Sequence, residues 1–228
     1  MAPHSGDIRI GQSIVAPSSV VRDLGVILDA ELSMREHISK TTQSCFYHLR
    51  KLRSVRHQLG RQVTAQLISA FVLSRLDYCN AVLAGLPATT LAPLQTVIRA
   101  AARLVLELRP RDHVTPALRQ LHWLPIAQRI DYKLCMLVHK ISVGHAPKYL
   151  SDLLTANADV SSKSALRSYS NGNYIIPRTN LKLGERAFSV AAPRAWNRLP
   201  TAVKFIRSTN TFKRHLKTFL FDTAYSDK

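Results

Sequence analysis

The chain has 228 residues, 46% hydrophobic and 20% charged, enough for one or two domains with a real core. Its 32 Lys and Arg against 14 Asp and Glu give a formal charge of +18, which favours a polyanionic partner, most often nucleic acid. No apolar run is long enough to span a membrane, the first residues do not read as a signal peptide, and three scattered cysteines argue against a disulfide framework.

Ile8-Arg9-Ile10 and Ser13-Ile14-Val15 flank Gly11-Gln12, a hairpin signal. The run Val21-Arg22-Asp23-Leu24-Gly25-Val26-Ile27-Leu28-Asp29 reads as one buried strand. Two or three strands make a poor sheet alone, so this β piece is expected to be the remnant of a larger α/β domain, prone to disorder or aggregation in isolation.

Helical spacing follows. Ser33 and Glu36 predict a capping box, and Ile38, Thr42, Cys45, Leu49 and Leu52 form one apolar stripe ending at Gly60. A second helix is expected over residues 61–84, closed by Gly85-Leu86-Pro87, and a third from Thr89 or Thr90 to Leu108. Thr115-Pro116 opens a short helix, Pro125 a longer one through Leu134 and Val138 to Gly144, and Pro147 one more to Leu154. Residues 155–172, rich in Ser, Asn and Ala, read as a mobile linker. Tyr174-Ile175-Ile176-Pro177-Arg178 looks extended, and Phe188-Ser189-Val190 looks like a second short strand. Ser208 or Thr209 caps a final helix carrying Phe212, Leu216, Phe219 and Leu220.

The fold class expected is mainly α with a small N-terminal β-hairpin, an α+β arrangement. Its divisions are 1–32 (β remnant), 33–108 (three-helix bundle), 109–154 (helical continuation), 155–172 (linker) and 173–228 (short strands and a final helix).

Residues 1–40 carry four basic and five acidic side chains, whereas 41–228 carry 28 and nine. The basic excess concentrates in Arg50, Lys51, Arg53, Arg56 and Arg61, with Tyr47 and His48 interleaved, and in Lys213, Arg214 and Lys217. Exposed cations contact phosphates and aromatic rings stack on bases, so these residues are the candidate nucleic-acid contacts. No catalytic or metal constellation stands out. Asp23 and Asp29, placed on one strand, are too far apart to share a metal and read as strand-end and turn residues. His37, His48 and His57 do not share a stripe, and Cys135 with His139 at i, i+4 lacks a second ligand pair. Trp123 and Trp196 sit among apolar residues and prolines, as packing anchors do. No cofactor or small-molecule substrate is implied. Cys45, Cys79 and Cys135 fit reduced thiols of an intracellular protein, in nucleus or cytoplasm.

Five segments together resemble the carboxy-terminal part of the reverse transcriptase of non-LTR, LINE-type retrotransposons of the jockey-like kind. They are Leu24-Gly25-Val26-Ile27-Leu28-Asp29; Leu76-Asp77-Tyr78-Cys79-Asn80; Leu121-His122-Trp123-Leu124-Pro125; Arg129-Ile130; and Arg186-Ala187-Phe188-Ser189-Val190-Ala191-Ala192-Pro193-Arg194-Ala195-Trp196-Asn197-Arg198-Leu199-Pro200. The last is the most specific, being long and irregular. The resemblance implies a palm end near Leu24, a thumb over 33–108 that grips RNA or an RNA/DNA duplex, and a C-terminal region. The family's catalytic aspartates and endonuclease precede the matching part, so the resemblance implies a catalytically incomplete fragment whose retained activity is sequence-tolerant backbone binding. The alternatives are a co-opted protein-interaction module and a transposon relic without function.

Overall fold

The computed structural model describes residues 8–159 and 171–226. It is mainly helical, with two small antiparallel hairpins at the N-terminus. β1 (Ile8–Ile10) pairs with β2 (Ser13–Val15) around Gly11. β3 (Val20–Asp23) pairs with β4 (Val26–Asp29), Val20 lying opposite Asp29 and Asp23 opposite Val26. The single strand expected over residues 21–29 is therefore a hairpin. Leu24 (φ 45°) and Gly25 (φ 85°) take left-handed conformations that reverse the chain, and the Tyr78 hydroxyl donates to the Leu24 carbonyl at 2.6 Å to hold the turn. A Cβ on Gly25 would sit 3.1 Å from the Tyr78 ring, so the close approach needs glycine. Asp23 lies at the turn and Asp29 at the open end.

α1 (Arg35–Ile68) does not start with the expected capping box. Met34 is left-handed (φ 62°), and the Asp29 carboxylate accepts from the Ser33 amide at 2.7 Å, the Met34 amide at 2.9 Å and the Ser33 hydroxyl at 3.1 Å. These hydrogen bonds lower the Asp29 pKa, that from the Ser33 amide most of all. Glu36 instead pairs with Lys40 at 3.7 Å. Gly60 interrupts α1 with φ 66° and ψ 168°, where the sequence places a helix end. The chain resumes as helix, passes a π turn over Ser69–Leu73 and becomes α2 (Ser74–Asp77). The second helix was expected to reach residue 84. It stops at Asp77 because Tyr78 is extended and Cys79 left-handed (φ 49°), and a 3-10 turn follows over Asn80–Leu83.

α3 (Ala88–Leu106) lies along α1. α4 (Thr115–Gln120), α5 (Ile126–Ser142) and α6 (Lys148–Ser151) follow, with prolines at their starts. α7 (Phe188–Asn197) replaces the short strand expected at Phe188-Ser189-Val190. Three alanines favour helix there, and Ala191, Ala192, Ala195 and Trp196 recur at helical spacing on a buried face. α8 (Thr201–Lys204) leads to α9 (Thr209–Tyr225), capped by the Ser208 hydroxyl as expected. No helix among the described residues is long and apolar enough to cross a membrane.

One hydrophobic cluster runs from Ile38, Leu94 and Ile98 through Leu134 and Val138 to Trp196, Phe212 and Leu216. α5 touches α3 on one side and α7 and α9 on the other, so the C-terminal helices complete the core. Of the expected linker, residues 160–170 lie outside the described residues. Its flanks are tied together: the Asn157 amide donates to Asn173 at 2.9 Å and the Ile175 amide to Thr155 at 2.8 Å. Cys45 and Cys135 are buried and free, and burial raises the Cys45 thiol to about 11.

Phe212 is fully buried, stacked on His139 at 4.1 Å between centroids. Phe212→Ala is expected to cost about 3–5 kcal/mol, read as a lower denaturant midpoint. Burial lowers the pKa of both His139 and His37, and His37 Nδ1 accepts from the Ile27 amide at 3.4 Å. The folded state thus binds fewer protons at these rings than the unfolded chain. Stability is full above the ordinary imidazole range, about 6.5, and falls as pH drops below it. The midpoint is expected to be lower at about pH 5 than at neutrality. That loss should shrink in His139→Gln.

Candidate nucleic-acid interface

Arg50, Lys51, Arg53 and Arg61 project from α1 into solvent. None has a carboxylate partner among the described residues. Lys51 Nζ stands 5.9 Å over the Tyr47 ring, and Tyr47 is 52% exposed. His48 stacks on Phe71 with centroids 5.5 Å apart and planes 12° from parallel. Phe71, which its sequence position assigns to an apolar stripe, is 42% exposed. Arg75 stays at the surface beside it, donating to the Phe71 carbonyl at 2.8 Å. Burial, then the Arg75 charge, lowers the pKa of His48 and keeps the ring neutral near pH 7. The result is a platform of aromatic faces edged by cations. Phe71 and Arg75 belong to it by folding; nothing in their sequence neighbourhood marks them.

Arg56 does not share this face. Its Nε donates to the Leu104 carbonyl at 2.5 Å, a terminal nitrogen donates to Val105 at 3.3 Å, and the guanidinium pairs with Glu107. Its side chain is 15% exposed. Arg56 therefore satisfies the last carbonyls of α3, which have no partner within their own helix.

The C-terminal patch divides. Lys213 and Lys217, one turn apart on α9, line a cavity of about 710 Å³, and Arg214 does not. Lys133 and Lys140 line it from α5. Those two were not among the sequence candidates, although their spacing of seven puts them on one helical face. Trp123, half-buried, forms part of the wall, while Trp196 is the buried anchor expected, its Nε1 donating to the Gly172 carbonyl at 2.8 Å.

Arg129 sits at the floor of the same cavity. Its Nη1 donates to both Asp77 carboxylate oxygens, at 2.8 and 2.7 Å, and its Nε donates to the Leu124 carbonyl at 2.9 Å. Asn80 Nδ2 donates to the Arg129 carbonyl at 3.4 Å. Asp77, Asn80, Leu124 and Arg129 come from three of the motifs quoted above. A further motif joins through Arg198, 3.7 Å from Asp131 on α5; burial raises the Asp131 pKa and the Arg198 charge opposes it.

Among the described residues, no three His, Cys, Asp or Glu side chains stand together as metal ligands. His139 Nε2 faces the Thr209 hydroxyl at 3.3 Å. No family model, no curated protein and no solved structure matches this chain.

The two arginines separate by experiment. Arg56→Ala is expected to destabilise by about 1–3 kcal/mol, because it strips buried carbonyls of their donor. Arg53→Ala should stay within about 0.5 kcal/mol of the parent. Chemical denaturation of both variants checks the contrast.

Proposed function

We propose that this chain is a nucleic-acid-binding helical module of the thumb kind found in non-LTR reverse transcriptases, holding the backbone of RNA or an RNA/DNA duplex without sequence preference. The observation that carries the reading is the outer face of α1. Arg50, Lys51 and Arg53 are exposed there with no acidic partner among the described residues, Lys51 stands over the Tyr47 ring, and His48 stacks on Phe71. Cations in that state gain counterion release on meeting phosphates, and no carboxylate among the described residues competes for them. The convergence of Leu76-Asp77-Tyr78-Cys79-Asn80, Leu121-His122-Trp123-Leu124-Pro125 and Arg129 on one ion pair supports treating those motifs as parts of one inherited unit. The reading assigns binding and no reaction.

A second reading is a protein-interaction module, favoured by the apolar hairpins. Ile8, Ile10 and Ile14 are 64–66% exposed and Leu24 is 83% exposed. Exposed apolar side chains, here on both faces of the first hairpin and at the turn of the second, are the raw material of docking faces. Capture of a protein partner that survives charge reversal on α1 would favour it.

Gel shifts of duplex RNA and of a hybrid duplex over rising salt test the first reading. Affinity is expected to fall linearly with salt on a logarithmic scale, and each charge reversal among Arg50→Glu, Lys51→Glu and Arg53→Glu should lower that slope by about one. No shift at low salt, or a shift indifferent to salt, overturns it.

A further inference from the structure

The cavity between α5, α9 and the Leu121-His122-Trp123-Leu124-Pro125 segment holds more than a surface charge patch requires. We propose that it binds one unpaired nucleotide, with the base against Trp123 and the phosphate on the lysines.

At about 710 Å³ it lies inside the range of small-ligand sites, about 300–1,000 Å³. Lys133, Lys140, Lys213 and Lys217 bring four positive charges to its lining. None of the four has a carboxylate partner among the described residues, because Asp77, the acid in the lining, is held by Arg129. A cluster of unpaired lysines around one concavity attracts a phosphate.

The wall offers stacking. The Trp123 amide donates to the Leu118 carbonyl at 3.0 Å, and the Trp123 carbonyl accepts from the Tyr225 hydroxyl at 2.7 Å. The next carbonyl, that of Leu124, accepts from Arg129 at 2.9 Å. The backbone at Trp123 is thus fixed from three directions and the side chain is packed against the core, which lowers the ordering cost that falls on a ligand. Planar bases stack on such faces whatever their sequence.

An independent observation points to a ligand. Asn80 lines the cavity and is only 3% exposed, yet its Oδ1 has no hydrogen-bond donor among the described residues. Its Nδ2 is committed to the Arg129 carbonyl, so the amide keeps an unmet acceptor just beneath the cavity lining. A buried acceptor without a donor costs free energy that a base N–H group would recover once a small shift of the lining opens the oxygen to it. Apolar or purely anionic ligands leave that acceptor unmet. A nucleotide supplies the anion, the flat ring and the donor together.

This site is separate from α1. It extends the phosphate-contact reading only for Lys213 and Lys217. Titration of the full chain with adenosine monophosphate, read by tryptophan fluorescence, tests it. Trp196 is buried and does not line this cavity, so a saturable change that disappears in Trp123→Phe is expected. Lys217→Glu and Lys133→Glu should each raise the midpoint about tenfold. Lys217 is exposed, so Lys217→Glu carries the test alone should Lys133→Glu fail to fold. Stronger competition by a terminally phosphorylated single strand identifies a strand end as the ligand; weaker competition identifies a free nucleotide. No saturable change, a midpoint unaltered in Lys217→Glu, or the same response to inorganic phosphate overturns the assignment. A duplex shift without a nucleotide response sinks this site and leaves the α1 reading standing. A nucleotide response without a duplex shift does the reverse.

Discussion

Arg129 ties together pieces of chain that lie far apart in sequence. Its guanidinium holds Asp77 at the end of α2 and the Leu124 carbonyl ahead of α5, while its own carbonyl accepts from Asn80. The side chain of Arg129 is 12% exposed, so the charge depends on Asp77 for compensation. A mostly buried guanidinium without its carboxylate is costly, which makes the pair an all-or-none contact. Much of the tertiary arrangement around it follows. The helix that carries Asp77 ends at that residue, and the extended Tyr78 after it holds the Leu24 turn. The β hairpin, the bundle and the later helices are thereby linked through one side chain and its immediate neighbours.

α5 is the element on which both halves meet. It packs on α3 through one face and on α7 and α9 through another, leaving a narrow polar strip that carries Lys133 and Lys140. Lys133 and Lys140 lie on the arc that lines the cavity, whereas Asp131, on the opposite side of the helix, meets Arg198. The same geometry that closes the core thus gathers lysines from α5 and α9 around one concavity. The other basic surface, on α1, arises differently. There the apolar stripe of Ile38, Cys45, Leu49 and Leu52 faces α3, and the cations occupy the opposite face by simple helical period.

The helices were legible wherever apolar spacing and punctuation agreed. The Gly60 break, the prolines in the first turn of α4 and ahead of α5, and the Ser208 cap of α9 stand where those residues put them. Most of the failures have one physical source, which is a contact that the local pattern does not show. Residues 21–29 look like one strand until Tyr78 stabilises a turn at Leu24 and Gly25. Ser33 looks like a helix cap until the Asp29 carboxylate, brought round by that hairpin, takes the orphan amides. Phe188-Ser189-Val190 looks like a strand because three residues carry no period; the alanines after them settle the helix. Of the basic cluster on α1, Arg56 was indistinguishable from Arg53 until α3 supplied carbonyls for it to cap.

The sequence by itself determined the helical class, the positive charge, the outward cations of α1 and α9, and the thiol chemistry of buried Cys45 and Cys135. These depend on residue type and on a period of 3.6, both local properties. Only the tertiary structure decided which cations are free and which are committed, that Lys133 and Lys140 join Lys213 and Lys217, and that Asn80 lines the same cavity with an acceptor unmet. Those facts depend on pairs separated by 49 to more than 100 residues, such as Asn80 with Arg129 and Trp123 with Tyr225. No local pattern encodes them, because a side chain's partners are set by where the chain returns.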